Sequence, residues 1–169
     1  ASLALANAPL QFLDCDVEEP NAHLFLDFKL RKSERVTIRI PSYQPWKGEV
    51  CEAAADFCRT RALAVVGEEM LVFPELCTGC GGCFRICPEG VLQPVEHVVG
   101  WVNTGRAKSG IRFAAGELRI GQQRTEAVIR DVKEKLDPET DSVIDAPTGK
   151  ARANREAVGG YDFCVLITE

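Results

Sequence analysis

The chain has 169 residues, 46% of them hydrophobic, a formal net charge of −5 and eight cysteines. That much apolar material can build a core, and the composition is not that of a disordered chain. Without clustered Lys and Arg it offers no nucleic-acid surface, and no apolar run approaches the ~20 residues needed to cross a bilayer.

The opening ASLALANA reads as the remnant of an amphipathic helix, because it lacks the basic start and apolar length of a signal peptide. No Met opens the chain, so either one was removed before Ala1 or the chain begins inside a longer protein. Pro9 to Asp14 reads as a short buried strand, followed directly by the turn-forming DCDVEEPN. Residues 36–40 (VTIRI) alternate like a half-buried strand, which Pro41 ends. From Ser42 to Pro94 cysteines crowd together and Gly and Pro punctuate short elements. Within that stretch, Leu63–Val66 and Met70–Phe73 form a small hairpin through Gly67.

Beyond Pro94 the chain is regular again. Val95–Asn103 and Ile111–Ile120 read as strands, the second bent around Gly116. Residues 125–136 read as a helix, with Ile129, Val132 and Leu136 at helical spacing, and Asp137-Pro138 stops it. A strand at 142–146 (SVIDA), a helix near 151–158 and an apolar strand over Phe163–Thr168 complete the chain. This strand–helix–strand succession predicts a parallel α/β sheet.

The cysteines carry the chemistry. Cys77, Cys80, Cys83 and Cys87-Pro88 fit the C-x2-C-x2-C-x3-C-P run of bacterial ferredoxins without a mismatch. Three thiolates must converge on three corners of a compact cubane, and Gly79, Gly81 and Gly82 let the backbone wrap around it. Amides exposed by that turn can then point at the cluster's sulfurs and negative charge. A structural zinc site is the alternative, but zinc ligands usually come as two separated Cys pairs.

In two-cluster ferredoxins the fourth cysteine of each run ligates the other cluster. The same template laid upstream falls on Gly48, Cys51, Ala54 and Cys58, with two ligands missing. Cys58 stands at the fourth position, so it completes the site of Cys77, Cys80 and Cys83. Cys51 and Cys87 are the survivors of the other site, and two thiolates cannot hold a four-iron cubane. One [4Fe–4S] cluster is expected, not two. The alternative for Cys51 and Cys58 is a pair of small core residues on one helix face. Cys15 and Cys164, inside apparent core strands, read as buried inert thiols, and His23 and His97 as ordinary histidines.

DCDVEEPNAHLFL (14–26), VFPELCTGCGGCFRICPEGVL (72–92), GIRFAAGELRIG (110–121), VIRDVK (128–133) and VIDAPTG (143–149) resemble the MinD superfamily of P-loop ATPases carrying an inserted ferredoxin domain. The same group is also described as cobyrinic acid a,c-diamide synthase-like, with ParA/MinD-type nucleotide-binding domains. The resemblance implies an incomplete P-loop NTPase-like parallel sheet over 1–41 and 95–169, with an α+β bacterial ferredoxin-like domain inserted at 42–94. It implies ATP and Mg2+ at the carboxyl ends of the strands. Asp16 matches the acidic position that orients the attacking water or reaches the metal. Asp145 matches the Walker-B-like acid on Mg2+, and Gly149 the loop that senses the γ-phosphate.

The chain departs from that pattern at both ends. It starts after the family's deviant Walker A loop, and it stops at Ile167-Thr168-Glu169 where the family continues. Lys150 and Arg152 stand where the family's residues are usually small or apolar. APTGKA (146–151) fails the G-x4-G-K-[ST] template at Ile144 and Ala151, so a displaced P-loop is the weaker reading, with Gly149-Lys150 at a helix start still able to attract an anion. The intact parent is expected to couple nucleotide hydrolysis to redox chemistry at the cluster in a reducing cytoplasm. The 169-residue chain itself is expected to be ATPase-inactive, with an unidentified redox partner and a tendency to dimerise through unpaired strands.

Overall fold

The computed structural model describes residues 10–25, 28–45, 50–107, 110–148 and 152–165. Two compact units divide the chain: one of Ala1–Val36, Val99–Arg119 and Arg124–Glu169, the other of Thr37–Val98 and Ile120–Gln123.

The first unit is organised around β1 (Leu10–Asp14), every residue of which is buried. It pairs in parallel with β6 (Arg112–Leu118) on one side and with β7 (Asp141–Asp145) on the other. A strand covered on both edges and both faces has no solvent side, hence its nearly continuous apolar run. Its one buried amide, Gln11, is satisfied on both ends. Its Nε2 donates to the Asp137 carbonyl at 3.0 Å, and the Asp137 amide donates to its Oε1 at 3.2 Å.

The five-stranded sheet runs β2-β5-β6-β1-β7, where β2 is Phe28–Tyr43 and β5 is Leu92–Ala107. The expected all-parallel sheet is in fact mixed, because β5 and β6 pair antiparallel, Gly100 facing Leu118 and Arg106 facing Arg112. Only residues 108–111 separate these two strands. That connection is too short for a crossover, so the second strand must return alongside the first. The boundary between the two units falls within β2 and within β5.

Pro41 does not end β2, which continues to Tyr43. Among the described residues β2 is an edge strand, the place in a sheet where proline is tolerated. Phe163–Val165 form no strand and are exposed, Phe163 by 92% and Val165 by 83%. Cys164 is accordingly an exposed free thiol rather than a buried one, since among the described residues no strand covers it.

The helix expected over 125–136 is α4 (Thr125–Lys133), which ends earlier in a turn. It buries Val128, Ile129 and Val132, and the sheet is hollowed to receive it. A β-carbon at Gly116 would stand 2.5 Å from a Val17 methyl and 2.8 Å from Val128. α5 (Arg152–Val158) packs beside α4 through Ala153 and Ala157. Lys133 donates to the carbonyls of Glu156 at 2.6 Å and Gly159 at 2.8 Å, placing a cation at the negative end of α5.

The second unit is made of short pieces: α2 (Glu52–Phe57), the hairpin of β3 (Leu63–Val66) and β4 (Glu69–Val72), a 3-10 turn at Pro74–Leu76, and α3 (Gly82–Ile86). The hairpin is antiparallel and closes Val66 on Glu69, with Gly67 at φ +62° in the first central turn position. The remaining helix, α1 (Ala22–Phe25), follows the DCDVEEPN turn. Among the described residues no helix is long and apolar enough to cross a membrane.

Candidate metal centre

The loop from Cys77 to Cys83 takes its path from its glycines. Cys77 ends the 3-10 turn, its amide held by the Pro74 carbonyl at 3.1 Å. The backbone then enters the left-handed region twice, at Gly79 (φ +67°) and Gly81 (φ +74°), before Gly82 starts α3. Gly79 is required for space as well as conformation. A β-carbon there would lie 3.2 Å from the Ile38 Cβ and 3.4 Å from the Arg39 carbonyl oxygen. One at Gly82 would run into the Phe57 ring.

This path turns backbone amides toward sulfur. The Gly79 amide donates to Cys77 Sγ at 3.4 Å. The Gly82 amide and the Thr78 hydroxyl hold the exposed Cys80 thiol below its ordinary pKa, against a smaller opposing effect of burial. Burial raises the Cys83 pKa, and the neighbouring Cys77 and Cys80 raise it further.

Cys58, from another element, borders the same cores. It is the C-cap of α2, its amide bonded to the carbonyls of Ala54 and Ala55. Its sulfur accepts from the Ala62 amide at 3.3 Å and lies 3.7 Å from the Thr60 hydroxyl. It packs on the small core of Ile40, Ala62 and Cys77, and also on the larger core that borders Cys83. Cys51 and Cys87 meet directly: their sulfurs are joined and their Cα atoms lie 5.7 Å apart.

Cys58 and Cys77 each accept a backbone amide at sulfur, the kind of contact that a cubane's thiolates call for. Among the described residues no three His, Cys, Asp or Glu side chains converge closely enough to hold one metal ion. In a cubane each thiolate binds a different iron, so the sulfurs stand further apart, and sulfur-directed amides offset the cluster's negative charge.

A second group of polar side chains lies at the carboxyl ends of β1 and β7. The parallel register sets Asp14 opposite Asp145, and Asp16 follows two residues on. Asp14 is fully buried and accepts from the amides of Ala22 at 3.1 Å and Asp16 at 3.2 Å. Burial pushes its carboxyl up to about 6; the Ala22 amide opposes this and the Asp145 charge adds to it. Asp16 is raised as well, first by burial and then by Asp145. Asp14 was not singled out from the sequence. Its signal was available: it is the first acid of D-C-D, the position at which a buried strand ends. Gly149 lies outside the described residues. Cys15, between the two acids, is buried and its thiol is pushed up to about 12, first by that burial. His97 lies 3.1 Å from the Gln122 amide nitrogen, and His23 is exposed.

Residues 70–92 match the family model of a 4Fe-4S binding domain. The chain is similar to two uncharacterized proteins of Methanocaldococcus jannaschii. It is 29% identical to MJ0578 over 161 residues, covering 93% of this chain and 55% of that protein. It is 22% identical to MJ0579 over 171 residues, covering 98% of this chain and 60% of that protein. The chain thus spans little more than half the length of the curated relatives it matches. No solved structure matches it.

Proposed function

We propose that this chain is the iron–sulfur-bearing part of a MinD/ParA-type P-loop ATPase and holds one [4Fe–4S] cluster on Cys58, Cys77, Cys80 and Cys83. The observation that carries the cluster reading is the pair of amide-to-sulfur contacts, at Cys58 and Cys77, on thiols far apart in sequence but packed on one small core. The match of residues 70–92 to a 4Fe-4S binding domain supports it independently. When bound, such a cluster supplies one-electron transfer. The protein's part is to hold four thiolates and to direct N–H groups at them. Cys80 is the exposed one, so a redox partner approaches on its side.

The nucleotide reading is carried by Asp14, Asp16 and Asp145 at the carboxyl ends of adjacent parallel strands, where open α/β sheets bind ligands. In the longer parent, Asp16 orients water or reaches Mg2+, Asp145 acts on Mg2+ and Gly149 follows the γ-phosphate of ATP. Residues 42–94 are then the ferredoxin-like insert between 1–41 and 95–169 of the NTPase-like domain. Among the described residues β7 closes the sheet order with one neighbour, and Phe163 and Val165 are exposed. Both features fit a missing P-loop strand that pairs here in the parent, or a homodimer that covers these residues. A reducing cytoplasm suits the exposed thiols Cys80 and Cys164.

A second reading, an electron carrier without ATPase activity, is favoured by the match of residues 70–92 to the family model of a 4Fe-4S binding domain. Iron and acid-labile sulfide per chain after anaerobic purification, with an EPR spectrum of the reduced protein, test the cluster. About four irons are expected. Zinc in their place overturns the reading.

A further inference from the structure

Cys51 and Cys87 are the two cysteines of the 42–94 segment that a single cluster leaves unused. They are 36 positions apart, yet their Cα atoms stand 5.7 Å from each other, ordinary disulfide spacing. Both are almost fully buried, at 7% and 9% exposure, in a core with Ala54, Leu63, Met70, Val91 and Leu92.

Their positions along the chain are specific. Cys51 is the N-cap of α2 and Cys58 its C-cap. Cys83 lies in the first turn of α3 and Cys87 is its C-cap, the Cys87 amide bonding the Cys83 carbonyl at 3.0 Å. Each member of the pair therefore shares a short helix with a proposed cluster ligand. The loop that the bridge closes, residues 51–87, contains all four of Cys58, Cys77, Cys80 and Cys83.

We propose that Cys51 and Cys87 are a redox-active dithiol/disulfide pair that braces the cluster-binding segment, opened and closed by a low-molecular-weight thiol/disulfide couple. The inference rests on the cluster reading above for the identity of the braced ligands. On opening, a small-molecule thiolate attacks Cys87 Sγ, the Sγ–Sγ bond breaks, and Cys51 leaves as a thiolate that takes a proton from water. A second small thiolate attacks the mixed disulfide, releasing the Cys87 thiol and one small-molecule disulfide. Two small thiols are oxidised, one protein disulfide is reduced, and two electrons change hands. Burial of both sulfurs slows the exchange, since its rate depends on access. The closed bridge restrains the 51–87 loop, whose opening would free the ligands. A staple is physically useful in so small a unit, where a core of short elements supplies little stability.

The test uses the 169-residue chain, purified anaerobically and equilibrated in glutathione buffers of graded thiol-to-disulfide ratio. Samples are quenched in acid, alkylated and mapped by mass spectrometry, with iron and labile sulfide counted in parallel. Cys51 and Cys87 should lose alkylation together in one two-electron transition while iron stays at about four per chain. Iron release to a chelator should be slower from the closed than from the open form by roughly an order of magnitude. Cys51→Ala should leave the iron count unchanged and leave Cys87, oxidised by glutathione disulfide, able to form only a mixed disulfide with glutathione.

A pair alkylated at every ratio, in protein that keeps its iron, overturns the proposal and leaves the cluster reading standing. Equal iron release from both forms overturns the brace. A joint transition in protein that never takes up iron supports the dithiol pair and sinks the cluster reading alone. About eight irons per chain, or iron lost from Cys51→Ala, makes the pair metal ligands and overturns the proposal.

Discussion

Asp14 and Asp145 occupy the same rung of the parallel β1–β7 ladder, one fully buried and the other at the sheet edge. Two acids held at the ends of adjacent strands have a consequence for stability. Asp14 binds its proton more tightly in the folded chain, with its carboxyl pushed from 3.8 to about 6, chiefly by burial. The stability this proton contributes is fully present below pH 4 and is lost as the pH rises through about 6. Asp14→Asn removes that dependence, at the expense of one of the two amide hydrogen bonds. In metal-free buffer, urea unfolding should show wild type gaining on Asp14→Asn by about 2 kcal/mol between pH 7 and pH 4. A pH-independent difference would show that the carboxyl is not protonated by its burial.

Gly79 should tolerate no side chain. Alanine there takes on about 1–2 kcal/mol of left-handed backbone strain and presses on Ile38 and the Arg39 carbonyl. We expect Gly79→Ala to lose cluster incorporation while the α/β unit keeps its helical circular dichroism. Gly67→Ala, also at positive φ but with nothing within 4 Å, is the control for strain alone. Equal iron content in both variants would refute the tight-loop account.

Cys58 lies outside the matched segment 70–92, so its role is the sharpest test of the ligand set. Cys58→Ala should fall from about four irons to about three or fewer per chain. Cys164→Ala, at an exposed thiol, should not change the count. Full iron in Cys58→Ala would pass the fourth position to Cys87.

Gly116 is where the sheet yields to α4. Gly116→Ala places a methyl against Val17, Val128 and Val132 in a filled core, and should destabilise by about 1–3 kcal/mol in chemical unfolding. A smaller loss would mean that α4 slides to make room.

The nucleotide reading predicts no magnesium-dependent ATP hydrolysis above background by the 169-residue chain, measured by phosphate release. Turnover would show that a phosphate cradle exists without the glycine-rich loop. Activity in a longer chain bearing that loop, abolished by Asp145→Asn, would support the parent assignment.

The cysteine run was legible in the sequence because a cubane demands short spacings and glycines in one continuous loop. Gly79 and Gly81 take the positive φ which that demand implies. The α4 stripe and the 63–72 hairpin were legible for a similar reason, since periodicity and a Gly turn are local signals. The direction of β5 against β6, the passage of β2 through Pro41 and the exposure of Cys164 were not. Each depends on which strand lies alongside, and pairing partners are set by packing across the sheet rather than by neighbours along the chain. One fact belongs to the tertiary structure alone, the burial of Asp14 beneath the amides of Ala22 and Asp16; the cysteine template had already put Cys51 and Cys87 in one site, and the fold adds that their sulfurs are joined there. Sequence spacing limits which groups can share a loop, but only the folded core decides which distant ones are brought within bonding distance and shielded from water.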